Sequence, residues 1–191
     1  MTRDTKQHFL QIGYERFANA GPVGLKVEIL ARQAHISKSS FYHHFADMEV
    51  FTEILLAYHL QQVARIAEAE RQCQRVVPDL LTYLLTIKAD LLFHRQLRIH
   101  RHIPAFGEAF LKANALVGNA ITGIWAEYIG LDTNTDLARL VLNLSFDNFY
   151  LQLSPDTLTY DRLFQFITEL RTMVQQFRYH EQRTALLYGT V

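Results

Sequence analysis

Residues 27–45 read VEILARQAHISKSSFYHHF, and the order of apolar and polar side chains in this stretch decides the fold. Val27, Leu30, Ala31 and Ala34 recur at three- and four-residue spacing, which gives a short helix one apolar face. Ala31 is small enough to let a second helix cross close by. His35 and Ile36 make the turn. Ser37 can then cap the next helix, its hydroxyl accepting an orphan backbone N–H. That second helix buries Phe41 and Phe45, four apart, and leaves Lys38, Ser39, Ser40, Tyr42, His43 and His44 on its other faces. A basic, hydroxylic and aromatic surface on a short helix suits a DNA major groove, with phosphates met by Lys and Tyr and base edges by small polar groups.

The run from Ala31 to Phe45, followed by Asp47 and Glu49, resembles the helix-turn-helix of the TetR family of bacterial repressors, the match extending over residues 27–49. Its F-Y-x-H-F core with a short acidic link is far more specific than a generic helix-turn-helix pattern. The resemblance implies an all-α protein with two parts. A three-helix helix-turn-helix DNA-binding domain would occupy residues 1–47, and a helical effector-binding and dimerisation domain residues 48–191. It also implies three partners: double-stranded DNA, a second copy of the chain and a small-molecule effector. Three positions depart from the family pattern. His35 stands where glycine is usual in the turn, Lys26 where threonine often opens the first helix of the motif, and Met48 where a lysine usually follows the recognition helix. Lys26 could itself reach phosphate, whereas Met48 removes one phosphate contact and its share of the salt dependence.

Charge adds little to this reading. Nineteen basic residues balance nineteen acidic ones. Residues 1–47 hold six basic side chains against four acidic, the right sign for DNA but a weak excess. The single cysteine, Cys73, excludes an intrachain disulfide and suits a reducing compartment. No run approaches the about 20 apolar residues of a membrane span, and the amino terminus lacks a signal-peptide core, so a soluble cytoplasmic protein is expected.

Helical spacing recurs along the whole chain, with no period-two runs and no repeats. The pattern predicts a first helix over about 2–20 with Phe9, Ile12, Gly13 and Phe17 inward, broken by Gly21-Pro22 and Gly24. Asp47 should cap a long helix. Pro78 should open an apolar helix running past Leu92, followed by HRQLRIHRH at 94–102, where Arg95, Arg98 and His102 form a basic stripe that is either solvated or lines a pocket mouth. Helices over about 105–129, from a cap at Asp132 or Thr133 to Leu153, and from about Thr157 onward complete the chain. The last two carry apolar residues over much of their circumference. Leu140, Leu144, Leu163, Phe166, Ile167, Leu170 and Val174 are therefore expected at a two-fold, four-helix dimer interface.

Site expectations follow. DNA contacts are assigned to Lys26, Ser37, Lys38, Ser39, Ser40, Tyr42, His43 and His44, with Tyr42 and His44 matching the family's Y-x-H. Asn143, Asp147 and Tyr150 form one polar stripe on an apolar helix. They either satisfy neighbouring helices and the dimer seam, or orient a ligand in a pocket with Phe93, His100, Thr122, Trp125 and Phe146. No metal and no cofactor is expected: His100 and His102 are two apart on a helix and cannot grip one ion. The expected protein is not an enzyme but a ligand-responsive repressor that binds a palindrome as a homodimer. Its rivals are a helical-bundle enzyme and a dimeric adaptor that does not bind an operator.

Overall fold

The computed structural model describes the backbone of residues 2–188 and the side chains of residues 4–180. The chain is all-α. Its helices are α1 (Thr2–Ala20), α2 (Val27–Ala34), α3 (Lys38–Phe45), α4 (Met48–Arg71), α5 (Leu81–Leu84), α6 (Lys88–Ile99), α7 (Pro104–Ile129), α8 (Thr135–Gln152) and α9 (Tyr160–Tyr188). No strand occurs among the described residues. Packing divides the chain into two compact units, Met1–Glu68 with Ile87–Val117, and Ala69–Thr86 with Gly118–Val191. This is a division by packing. The expected boundary at 47/48 falls inside the first unit.

In the first unit, aromatic side chains fix α3 in place. Phe41 and Phe45 are fully buried and meet Phe9 of α1 edge-on, with ring centroids 5.5 and 6.0 Å away. The same two rings meet Phe51 of α4 at 5.3 and 4.9 Å. Gly13 is required on α1 because a Cβ there would lie 2.4 Å from Cζ of Phe51. Helix α3 is therefore wedged between α1 and α4 by rings that cannot turn without moving their neighbours. Asp47 caps α4 as expected, accepting from the backbone N–H of Val50 at 2.8 Å.

Three expectations about elements need correction. The single helix foreseen from Pro78 past Leu92 is two, α5 and α6, separated at Leu85–Ile87. There Thr86 donates both its N–H and its hydroxyl to the Tyr83 carbonyl, at 2.8 and 2.7 Å, and Ile87 leaves helical geometry at φ −113° and ψ 33°. Such local side-chain bonding by threonine competes with the helical ladder. The cap of α8 is Asn134, which accepts from Leu137 N–H at 3.1 Å, in place of Asp132 or Thr133. The last helix starts at Tyr160, after Ser154 and Thr157 close a turn through their hydroxyls. Among the described residues no helix is long and apolar enough to cross a membrane.

Candidate nucleic-acid interface

The interface candidate is built on α2 and α3. His35 ends α2 in the left-handed region (φ 55°, ψ 35°), the conformation glycine adopts most cheaply, and the turn closes with Ile36 N–H on the Ala31 carbonyl at 3.0 Å. Ser37 follows in extended geometry and its Oγ accepts from Ser40 N–H at 3.2 Å. The first turn of α3 thus has a side-chain cap, which leaves its remaining N–H groups pointing outward with the positive end of the helix dipole.

Along α3, Phe41 and Phe45 turn inward, Lys38, Ser39, Tyr42 and His43 are exposed, and Ser40 and His44 are half-buried. Lys26, at the N-cap position of α2, is exposed beside them in sequence order but its side chain makes no cap bond. All eight residues assigned to DNA contact therefore lie on or next to this two-helix edge. Tyr42 is 51% exposed although its ring meets Phe41 edge-on at 5.7 Å, so the phenol has a fixed root and a free tip.

One participant was missed. Glu28, in the first turn of α2, accepts from Lys38 Nζ at 2.8 Å, and both side chains remain more than half exposed. The hydrogen bond from Lys38, with the nearby charges of Lys38 and Lys26, holds the Glu28 carboxyl below its usual range. The same bond and the Glu28 charge hold the Lys38 ammonium above its own. The signal was present: a lysine at the first position of a helix opposes the helix dipole and calls for a nearby carboxylate. It was hidden because ten residues and a turn separate the partners.

Also in the first unit, a buried polar group joins three helices. Tyr14 of α1 donates its hydroxyl to Asp90 Oδ1 at 2.6 Å and lies 2.7 Å from His59 Nδ1. Its one proton goes to the carboxylate, so His59 must donate through Nδ1. That leaves Nε2, which has no hydrogen-bond partner among the described residues, as a bare acceptor. Burial, then the neighbouring His94, keeps the His59 pKa far below the usual value. Burial pushes His94 down to about 3, with Arg98 adding to the effect and a hydrogen bond with Asn114 opposing it. Asp90 is pushed up by burial against the pull of Tyr14.

This group corrects two expectations. Phe93 is no pocket wall but core, its ring 4.3 Å from both Tyr14 and His59 and 4.4 Å from Phe17. The basic stripe at Arg95, Arg98 and His102 is not one surface: Arg98 is buried with its guanidinium 4.8 Å from the Phe110 ring centre, Arg95 is half-buried, and His102 is exposed. His100 is half-buried against Gly21, where a Cβ would come within 2.8 Å of its Nε2.

In the second unit, Trp125 is buried and its Nε1–H has no partner among the described residues, while Thr122 is buried and its hydroxyl is bound to the Gly118 carbonyl of its own helix. Of the polar stripe, only Tyr150 is buried, against Phe146 and Phe149 at 6.2 and 5.1 Å. Asn143 and Asp147 are exposed, so they do not line an enclosed cavity within one chain. The residues expected at the dimer interface fall in two sets. Leu163, Ile167 and Val174 turn into the core of their own unit, and Phe166 and Leu170 are half-buried. Leu140 and Leu144 are 55% and 63% exposed, and sequence reasoning missed their companions Leu137 and Leu151 on α8, and Met173 and Phe177 on α9. Among the described residues no cluster of three or more His, Cys, Asp or Glu is arranged to hold a metal ion.

No family model and no curated protein sequence matches the chain. Solved structures do. The fold is similar to that of Salmonella enterica GusR, with a TM-score of 0.60 at 17% identity over 91% of this chain and 94% of that one. It is equally similar to a structure from Mesorhizobium loti described as a TetR-family transcriptional regulator, with a TM-score of 0.60 at 16% identity over 93% of this chain and 96% of the other. At such low identity the likeness establishes a shared fold over nearly the whole chain: an amino-terminal helix-turn-helix followed by a helical carboxy-terminal domain.

Proposed function

We propose that the protein is a transcriptional regulator of the TetR kind, a repressor that binds a palindromic DNA operator as a homodimer and leaves it when a small molecule binds the helical part after residue 47. The observation that carries this reading is the polar outer face of α3, with Lys38, Ser39, Tyr42 and His43 exposed on a capped helix that Phe41 and Phe45 anchor from behind. A helix so held has a partner-facing surface that fits a major groove. The fold shared with a TetR-family regulator supports the same reading. Residues 1–47 would then dock on DNA in the cytoplasm, and residues 48–191 would provide pairing and effector binding.

Pairing is supported by α8. Leu137, Leu140, Leu144 and Leu151, spaced by three, four and seven residues, share one face that is between 41% and 73% exposed and is interrupted only by Asp147. Four leucines in line on water are costly, and a second copy related by a two-fold axis would cover them, with Met173 and Phe177 of α9 adding to the seam. A dimer would carry two α3 helices spaced about 34–36 Å apart, the repeat of successive major grooves on one face. Effector binding is supported by the unpartnered Trp125 Nε1–H, since buried N–H groups are nearly always satisfied. The effector need bind the DNA-incompetent state more tightly by only about 1–3 kcal/mol to act as a switch.

A band-shift assay on the DNA flanking the protein's own gene tests the function. Specific binding is expected, and Lys38→Ala combined with Tyr42→Ala should abolish it. Specific binding that survives both substitutions would refute the assignment to α3.

A further inference from the structure

The Glu28–Lys38 pair lies on the edge assigned to DNA, yet such an acidic residue is out of place against a polyanion. Glu28 is exposed, ionised and flanked by Lys26 and Lys38. Bringing it to a duplex sets it against phosphate repulsion, so its presence needs a compensating partner. Stability does not supply the reason, because exposed ion pairs contribute little to folding. The major groove offers a carboxylate only two donors, the amino groups of cytosine and adenine.

Geometry narrows the choice. Lys38 Nζ and Glu28 Oε1 are 2.8 Å apart, a cation and an anion held side by side at the tip of α3. A G·C pair presents in the groove guanine N7 and O6, both acceptors, and next to O6 the cytosine amino donor. O6 and that amino nitrogen are joined by the Watson–Crick hydrogen bond, so they lie about 2.9 Å apart, the same spacing as the ion pair. An A·T pair presents an acceptor, a donor and then the thymine O4 acceptor, which would face the carboxylate and repel it.

We propose that Glu28 and Lys38 act together as one reader of a G·C pair in each half-site, Lys38 on guanine O6 and N7 and Glu28 accepting from the cytosine amino group. Glu28 makes Lys38 selective: without the carboxylate, the ammonium is free to move to a phosphate, and sequence discrimination is exchanged for general affinity. This rests on the DNA-binding reading above and adds a specificity-determining residue to it.

The test is selection of binding sites from a randomised duplex library by the full-length protein, its E28A and K38A variants, and the near-isosteric E28Q. Glu28 is exposed, so the variants should keep the wild-type circular dichroism spectrum. Wild type should select a half-site with one G·C position whose preference disappears in E28A and in K38A alike, while other positions persist. The ratio of specific to random-sequence affinity should fall about tenfold in E28A. The salt dependence of its random-sequence binding should steepen by about one counterion per protomer. E28Q keeps an acceptor in its amide oxygen but loses the charge that holds Lys38, so it should retain the G·C preference at the same position only in weakened form. If wild type selects a clear site and E28A keeps every base preference, or loses one at a position that K38A leaves intact, the paired reader is overturned. If wild type selects no site, the DNA-binding reading itself falls, and the inference with it.

Discussion

Replacing Tyr14 by phenylalanine removes one oxygen from the buried junction of α1, α4 and α6, and the cost can be worked out from its bonds. The hydroxyl donates to Asp90 at 2.6 Å and receives from His59 Nδ1 at 2.7 Å. The bond between neutral partners contributes about 1 kcal/mol net, and the bond to the carboxylate about 1.5–3 kcal/mol, taken at the lower end because Asp90 is only half-buried. Tyr14→Phe should therefore destabilise the fold by roughly 2–3 kcal/mol, readable as a lower urea midpoint at pH 7 and fixed protein concentration. The effect should also depend on pH with a definite sign. Tyr14 favours the charged form of Asp90, so its loss raises the Asp90 pKa further. As pH falls through the Asp90 transition, the carboxyl takes up a proton in both proteins and the difference between them shrinks. A cost below about 1 kcal/mol at neutral pH would refute the reasoning. So would a double-mutant cycle in which Tyr14→Phe and Asp90→Asn simply add.

Other outcomes are expected elsewhere in the chain. The wild type should sediment as a dimer in analytical ultracentrifugation and Leu140→Glu with Leu144→Glu as a folded monomer, because both side chains are exposed in one chain; an oligomeric state unchanged by the substitutions would remove α8 from the interface. Glu70 is buried, and desolvation pushes its carboxyl from 4.5 up to about 8. Between those values the folded chain holds a proton that the unfolded chain has lost, so stability falls as pH rises through that window and levels above it. Glu70→Gln should flatten this slope in thermal melts between pH 5 and pH 8.5, and an unaltered slope would assign it to other groups. His35→Gly should gain up to about 1 kcal/mol, since φ 55° strains a side chain that glycine lacks; a loss measured by denaturant unfolding would show that the imidazole makes a contact of greater value.

What sequence could and could not reveal follows from the range of the forces involved. The α2–turn–α3 unit was legible because local chemistry dictates it: apolar spacing, a serine cap, and two phenylalanines four apart. The Pro78 helix was misread because its break at Thr86 depends on a hydroxyl bonding back to Tyr83, a choice that hydrophobic spacing does not record. On α9, the pattern gave the apolar residues but not which of them face their own unit. Leu163 and Val174 turn inward while Phe177 is 69% exposed, and neighbouring positions on one helix differ only in which surface happens to cover them. Tyr14, His59 and Asp90 were invisible as a group because they come from helices 45 and 76 residues apart.

Gly21 extends these consequences to genetics. Its φ is +64°, a conformation side chains rarely adopt, and a Cβ there would lie 2.7 Å from Gln96 Oε1 and 2.8 Å from His100 Nε2, so any larger residue strains the backbone and has to push those two side chains aside. Every single-nucleotide change that alters the amino acid at this codon adds a side chain that strains the backbone and crowds Gln96 and His100. A screen for spontaneous loss-of-function alleles should return Gly21 repeatedly, although it touches none of the residues assigned to DNA. The same codon should stay empty in libraries sorted for retained activity, making it a sentinel for the docking of α6 against the end of α1.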